Sequence, residues 1–212
     1  MVKVKVCGIS SLEEALTAVN AGANAIGFVF APSKRKINPE KAREISLALP
    51  PFVSKVGVFV NQERYEVQEI SSFCNLDVLQ FHGEETPEYC RKFTQTVVKA
   101  FGVKDSSVLE ELPKYKGVQG FLLDTYDPDL KGGTGRTFNW QIAAAAKDFG
   151  PVVLAGGLKP GNIKEAILKV RPYGVDVSSG VELEGKKSAA LITEFFGEIR
   201  RSLDELSKLS NA

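Results

Sequence analysis

VKVKVCGISSLEEALTAVNAG, residues 2–22, contains one complete structural unit. Val2, Val4 and Val6 point one way and Lys3, Lys5 and Cys7 the other, a period of two that predicts a strand. Ser10-Ser11-Leu12-Glu13-Glu14 then offers two overlapping capping-box frames. Leu12, Ala15, Leu16 and Val19 follow at helical spacing, and Gly22 stands where a helix should stop.

The unit recurs. A second apolar run covers Ala25–Phe30, and Asn38-Pro39 reads as a cap with Pro at the first helical position, ahead of a stripe of Ala42, Ile45 and Leu49. Further β-rich runs lie near Lys55–Val60, Asp77–Phe81, Thr96–Phe101, Gly120–Leu123, Val152–Ala155 and Val175–Val177. Helical stripes lie between and after them, clearest at Ile163, Ala166, Ile167, Val170 and at Leu191, Ile192, Phe195, Phe196, Ile199, Leu203. Repeated βα units predict a parallel sheet, and eight of them predict an α/β fold of the (β/α)₈ TIM-barrel kind, with 1–212 as a single domain. The alternative, an open doubly wound sheet, usually has fewer strands and often a GxGxxG first turn; Cys7-Gly8-Ile9-Ser10 is no match.

Composition narrows the function. Apolar residues make up 43% of the 212 and charged residues 25%, which excludes a disordered or collagen-like chain. With 27 Lys and Arg against 26 Asp and Glu the net charge is +1, so no global field holds nucleic acid or an anionic membrane, and neither is expected as a partner. Cys7, Cys74 and Cys90 form no CxxC spacing, which favours a reducing compartment. The alternating N-terminal stretch lacks the apolar core of a signal peptide, and no run reaches membrane-span length; the expected location is cytoplasmic.

In a barrel, chemistry gathers at the C-terminal ends of the strands. There the sequence puts Cys7, Arg35, Gln80, His82, Asp124, Ala155-Gly156-Gly157 and Ser178-Ser179-Gly180. The Gly156, Gly157 turn and the Ser178, Ser179, Gly180 turn follow strands 7 and 8, where barrels often hold phosphate on backbone N–H groups. Cys7 shares a strand face with two lysines, and a neighbouring ammonium favours thiolate. Asp124 ends an apolar strand, a place for a catalytic carboxylate or for one paired to a cation. Asp176, just before the Ser-Ser-Gly turn, is open between a structural and a substrate-binding role. Arg35 lies in a basic run too short for a nucleic-acid patch and could fix a substrate carboxylate through its fork. His82 is the only histidine, so no multi-histidine metal site exists and no metal is expected. Residues 125–139, with Gly132, Gly133 and Gly135, form a candidate lid. Cys74 and Cys90 read as structural.

KVCGIS (5–10), GFVF with SKR (27–35), VGVFVN (56–61), QFHGEE (80–85), LLDT (122–125), GGTGRTFNW (132–140), LAGGLKPGNI (154–163) and VDVSSGVE (175–182) stand in order along nearly the whole chain. Together they resemble the phosphoribosylanthranilate isomerases of tryptophan biosynthesis. The resemblance implies a (β/α)₈ barrel without a cofactor, Cys7 as general base, Asp124 as general acid, Arg35 on the anthranilate carboxylate, and phosphate on Gly156, Gly157, Ser179 and Gly180. Gln80, His82, Asp176 and Ser178 complete the expected substrate-binding set. Phe81, Arg136, Asn139 and Gly161 depart from the family pattern without touching the acid or the base. The implied reaction is an Amadori rearrangement of N-(5-phosphoribosyl)anthranilate. An unperturbed thiol costs about 2 kcal/mol to ionise at pH 7, and an unperturbed aspartate about 4 kcal/mol to protonate. The expectation is therefore an Asp124 raised by burial and substrate charge and a Cys7 thiol eased down by Lys5. The rivals are another aminoaldose- or sugar-phosphate isomerase on the same scaffold, and a non-catalytic phosphosugar-binding module. The sequence leaves monomer and homodimer open.

Overall fold

The alternation in residues 2–7 becomes strand β1 (Lys3–Cys7) of a closed parallel barrel in the computed structural model, which describes residues 2–126 and 137–210, the last two by backbone alone. Helix α1 (Leu12–Ala21) follows, then β2 (Ala25–Val29), α2 (Pro39–Ala48), β3 (Ser54–Phe59), α3 (Arg64–Phe73), β4 (Val78–Phe81), α4 (Pro87–Cys90), β5 (Thr96–Val103) and α5 (Val108–Glu111). The second half runs β6 (Gly120–Thr125), α6 (Trp140–Ala146), β7 (Val152–Leu154), α7 (Pro160–Val170) and β8 (Gly174–Val177). A small hairpin, β9 (Glu182–Leu183) and β10 (Lys186–Lys187), precedes the last helix, α8 (Ala189–Ser210). The eight barrel strands pair in chain order, and β1 closes on β8 with Lys5 opposite Asp176. Among the described residues no helix is long and apolar enough to cross a membrane.

Of the two capping frames in residues 10–14 the second is used. The Ser11 hydroxyl accepts the Glu14 N–H at 3.2 Å, and Glu14 reaches back to the Ser10 N–H at 2.8 Å. Gly22 ends α1 in a left-handed conformation, φ 116°, which a side chain would strain. Asn38 caps α2 through the Lys41 N–H, with Pro39 at the first turn as expected.

The two faces of the strands build two interiors. Val4, Val6, Ile26, Phe28, Phe59, Leu79, Leu123 and Val175 point outward into the main core, against Ala15 and Ala18 of α1, Ile45 of α2, Ile167 of α7 and Phe195 of α8. Cys7, Val29 and Val58 form a separate inward cluster, and Ala100, Leu122 and Ala155 another. The α4 and α5 units depart from the expected helix size: each helix is four residues long, α5 being followed by a 3₁₀ turn at Leu112–Tyr115. Aromatic rings occupy the flank beside α4. Phe81 lies 5.1 Å from Phe93 and 5.3 Å from Tyr89, and Phe59 stacks on Phe30 at 5.3 Å. Phe81, one of the departures from the family pattern, thus points away from the barrel interior.

Beneath that cluster Lys99 is buried on the outer face of β5. Its ammonium donates to the carbonyls of Gly83 (2.8 Å), Ala100 (3.0 Å) and Phe81 (3.3 Å) and lies 3.4 Å from Glu85. Glu85 in turn accepts the N–H groups of Asn61 (2.7 Å) and Gly83 (2.9 Å). One buried charge pair therefore ties together the C-terminal ends of β3, β4 and β5.

Inside the barrel, Gly27 sits opposite Cys7, and a Cβ built on it would lie 2.8 Å from the Cys7 sulfur and 2.9 Å from the Lys5 side chain. Gly27→Ala is expected to cost about 1–3 kcal/mol by overpacking. Urea unfolding measures this, and an unchanged midpoint would show that the wall yields freely.

Candidate active site

The sequence places Cys7 at the end of β1 and Asp124 near the end of β6, three strands apart around an eight-strand ring. Both line a cavity of about 480 Å³ at the C-terminal mouth, together with Arg35, Gln80, His82, Asp176 and Ser178. Gly156, Gly157, Ser179 and Gly180 lie on the adjoining turns rather than in this lining. Gly156 and Gly157 both take positive φ, 82° and 63°, which glycine adopts at little cost. Asn162 pins that turn by donating to the Gly157 carbonyl (2.9 Å) and accepting the Lys159 N–H (2.8 Å). Gly180 has a packing reason of its own: a Cβ there would collide with the Leu158 backbone, so the β7 and β8 turns pack backbone to backbone. The proposed lid falls mostly on 127–136, with Gly132, Gly133, Gly135 and Arg136, and so lies outside the described residues. Asn139 is described and caps α6 through the Gln141 N–H at 3.1 Å.

Asp124 is nearly buried, and that burial pushes its carboxyl up to about 6, against the pull of the Thr125 N–H at 2.7 Å. His82 Nε2 stands 3.5 Å from Asp124 Oδ2, and Gln80 Nε2 meets His82 Nδ1 at 3.1 Å. With the Gln80 amide as donor, the ring proton sits on Nε2, aimed at Asp124. Gln80 thereby orients the His82 ring beside the Asp124 carboxyl.

Cys7 corrects the expectation drawn from its neighbours. Burial pushes its thiol above the ordinary 9.0; Lys5 pulls it down without overcoming that, and Asp176 adds to the rise. The reason is depth: the sulfur and the ammonium share a desolvated wall, and Lys5 spends much of its field on Asp176, 2.8 Å away. Burial works against the charge on Lys5 as well, but Asp176 and Cys7 together outweigh it and hold the ammonium above its ordinary value. Asp176 thus has its structural partner, while its second oxygen, Oδ1, is buried with no hydrogen-bond partner among the described residues.

Arg35 returns from the long loop after β2, its N–H held by the Ser33 hydroxyl at 3.1 Å. Its fork is engaged by a residue to which sequence reasoning gave no role. Nε and Nη2 donate to the two carboxylate oxygens of Glu182 at 2.7 and 2.8 Å. Lys187 donates to the same carboxylate at 2.6 Å and to the Ser178 carbonyl at 3.1 Å. Burial disfavours a charged Glu182, yet these two cations hold its carboxyl down at about 2. Glu182 was visible only as the last letter of a motif, and Lys187 as part of a polar turn.

Fold and cavity together define a (β/α)₈-barrel enzyme whose mouth gathers ionisable groups of the acid–base kind. Residues 4–198 match the family model described as N-(5'-phosphoribosyl)anthranilate (PRA) isomerase. An N-(5'-phosphoribosyl)anthranilate isomerase of Moorella thermoacetica is 54% identical over 203 residues, covering 95% of this chain and 91% of the relative. A structure of monomers generated from the dimeric phosphoribosylanthranilate isomerase of Thermotoga maritima is 44% identical, with a TM-score of 0.85, covering 95% of this chain and 100% of that one. A third relative, solved as a complex of the isomerase with reduced 1-(o-carboxyphenylamino)-1-deoxyribulose 5-phosphate, is 45% identical with a TM-score of 0.85 over the same shares. The chain belongs to the N-(5'-phosphoribosyl)anthranilate isomerase family.

Replacing Lys5 with Met removes the downward pull on Cys7. The pH at which iodoacetamide alkylates Cys7 at half-maximal rate, read by peptide mass spectrometry, is expected to move up. An unchanged profile would show that the sulfur does not feel Lys5.

Proposed function

We propose that Cys7 and Asp124 are the base and acid of the Amadori rearrangement of N-(5-phosphoribosyl)anthranilate to 1-(2-carboxyphenylamino)-1-deoxyribulose 5-phosphate, the isomerisation this family performs in tryptophan biosynthesis. The observation that carries the reading is a buried thiol and an elevated carboxylic acid on well-separated strands of one cavity. Asp124 gives its proton to the furanose ring oxygen; the C1–O bond breaks and the anthranilate nitrogen supplies the electron pair, leaving an iminium. Cys7 removes the C2 proton, and those electrons pass to the iminium nitrogen to give the enolamine. Tautomerisation to the ketone completes the isomerisation. The substrate nitrogen is its own electron sink, which supports a reaction that needs no cofactor.

The remaining groups serve binding. Arg35 meets the anthranilate carboxylate through the N–H groups that Glu182 leaves uncommitted. The unpartnered Oδ1 of Asp176 suits a sugar hydroxyl, and the turns at Gly156, Gly157 and at Ser178, Ser179, Gly180 suit the phosphate. Gln80 and His82 set the acid. Residues 1–212 act as one barrel domain, and a cytoplasmic location agrees with three free cysteines.

The resting pair holds its proton on the wrong partner. With Asp124 at about 6 and burial holding the Cys7 thiol above its ordinary value, the reactive arrangement, thiolate with acid, is the minor of the two singly protonated forms. Proton count is the same in both, so kcat/KM is expected to rise through pH about 6, as the first of the pair's two protons leaves, and to fall only above the ordinary thiol range, as the second does. An acid limb near pH 4 would show that Asp124 titrates as an ordinary carboxyl.

The direct test is the loss of anthranilate-type fluorescence from freshly made substrate, in excess chelator. Cys7→Ala and Asp124→Asn are each expected to lower kcat by about 10²–10⁴-fold. Folded wild-type protein without turnover would sink the assignment, and undiminished activity in Asp124→Asn would remove it as the acid.

The opposite mouth of the barrel supports a homodimer. Phe52 is fully exposed with φ 70°, an uncommon conformation for a bulky residue. Beside it and the exposed Tyr173 opens a recess of about 410 Å³, walled by Val56, Val78, Val98 and Leu122. A protruding ring next to an apolar hole is self-complementary under a two-fold axis. Light scattering should give twice the chain mass for wild type and the single-chain mass for Phe52→Asp, with isomerase activity retained; a monomeric wild type would refute the pairing.

A further inference from the structure

Arg35 is held from two sides before any substrate arrives. Gly8, at φ 77°, lets the arginine stem cross the β1–α1 turn where a Cβ would collide with it. Glu182 then engages Nε and Nη2, so the bonds still open to a guest are those of Nη1 and the second Nη2 hydrogen, an end-on pair matched to a carboxylate. Glu182 does not choose its own position. Lys187, whose side chain is 1% exposed, grips it at 2.6 Å, and the Lys187 backbone N–H is anchored to Glu14 of α1 at 3.0 Å. The same ammonium holds the Ser178 carbonyl, and the Ser178 hydroxyl donates to the Cys7 carbonyl at 3.0 Å.

We propose that Glu182, braced by Lys187, is a positioning residue that turns the Arg35 fork end-on to the substrate's aryl carboxylate and so sets the preference for a carboxylated substrate. This rests on Arg35 as the carboxylate contact. The balance of charge fits the role: one carboxylate between two cations leaves a single positive charge for the arriving anion. Glu182→Gln keeps the shape but offers only one acceptor oxygen to two cations, so the fork loses its two-point hold.

The test compares two substrates made by condensing ribose 5-phosphate with anthranilate or with aniline, which lacks the carboxylate. Wild type is expected to favour the anthranilate compound in kcat/KM. Glu182→Gln is expected to lose about tenfold to a hundredfold of that preference, chiefly through KM for the anthranilate compound, while kcat/KM for the aniline compound stays within about threefold. Glu182→Asp, which keeps the charge but withdraws it by one methylene, should fall between, and circular dichroism melts confirm that each variant is folded in the assay. Equal losses on both substrates would overturn the proposal, since Glu182 would then only support the fold. A wild type without the preference would remove Arg35 as the carboxylate contact, and the proposal with it. A wild type that has the preference and a Glu182→Gln variant that keeps it would leave Arg35 standing and refute Glu182 alone.

Discussion

The ion pair between Lys5 and Asp176 sits on the seam where the first strand meets the last. Breaking a buried pair by removing one partner costs about 3–5 kcal/mol, because a charge is left without compensation. The two residues therefore hold each other, and with them the register of closure. Everything at the β1 and β8 side of the mouth inherits that register: Cys7 stands two residues beyond Lys5, Ser178 two beyond Asp176, and the Ser178 hydroxyl bonds the Cys7 carbonyl. Gly27 exists as a glycine because this wall is full.

The barrel was legible because its two periods are clean. Valines alternate with lysines in β1, and the Ile163–Val170 stripe is buried in α7 as spaced. The α4 and α5 segments were not legible as single turns, since ring size in Phe81, Tyr89 and Phe93, rather than helix length, fills the space there. The core of α1 centres on Ala15 and Ala18, small enough for close approach, with Leu12 and Leu16 at the margin.

At the mouth, topology alone brought Cys7, Asp124, Gln80, His82 and Asp176 to one cavity, because strand ends converge wherever a barrel closes. What the sequence withheld was depth and partnership. Lys5 near Cys7 is visible in the alternation, but the burial that reverses its effect is not. Lys187 and Glu182, or Lys99 and Glu85, lie on different segments and read as ordinary surface charges until the chain is folded. These buried pairs set the angles at which the legible residues stand.

The Glu182 node also bears on how such a site could change its diet. Were Arg35 lost, Glu182 would not become a stranded anion, because Lys187 already neutralises it at 2.6 Å. The wall would pass from cationic to electrically neutral in one step, with no buried charge orphaned. A lineage drifting toward an aminosugar phosphate that lacks the aryl carboxylate could therefore cross by a single substitution, whereas loss of Glu182 would leave two like charges face to face. The carboxylate and its two cations make one evolutionary route smooth and the other steep.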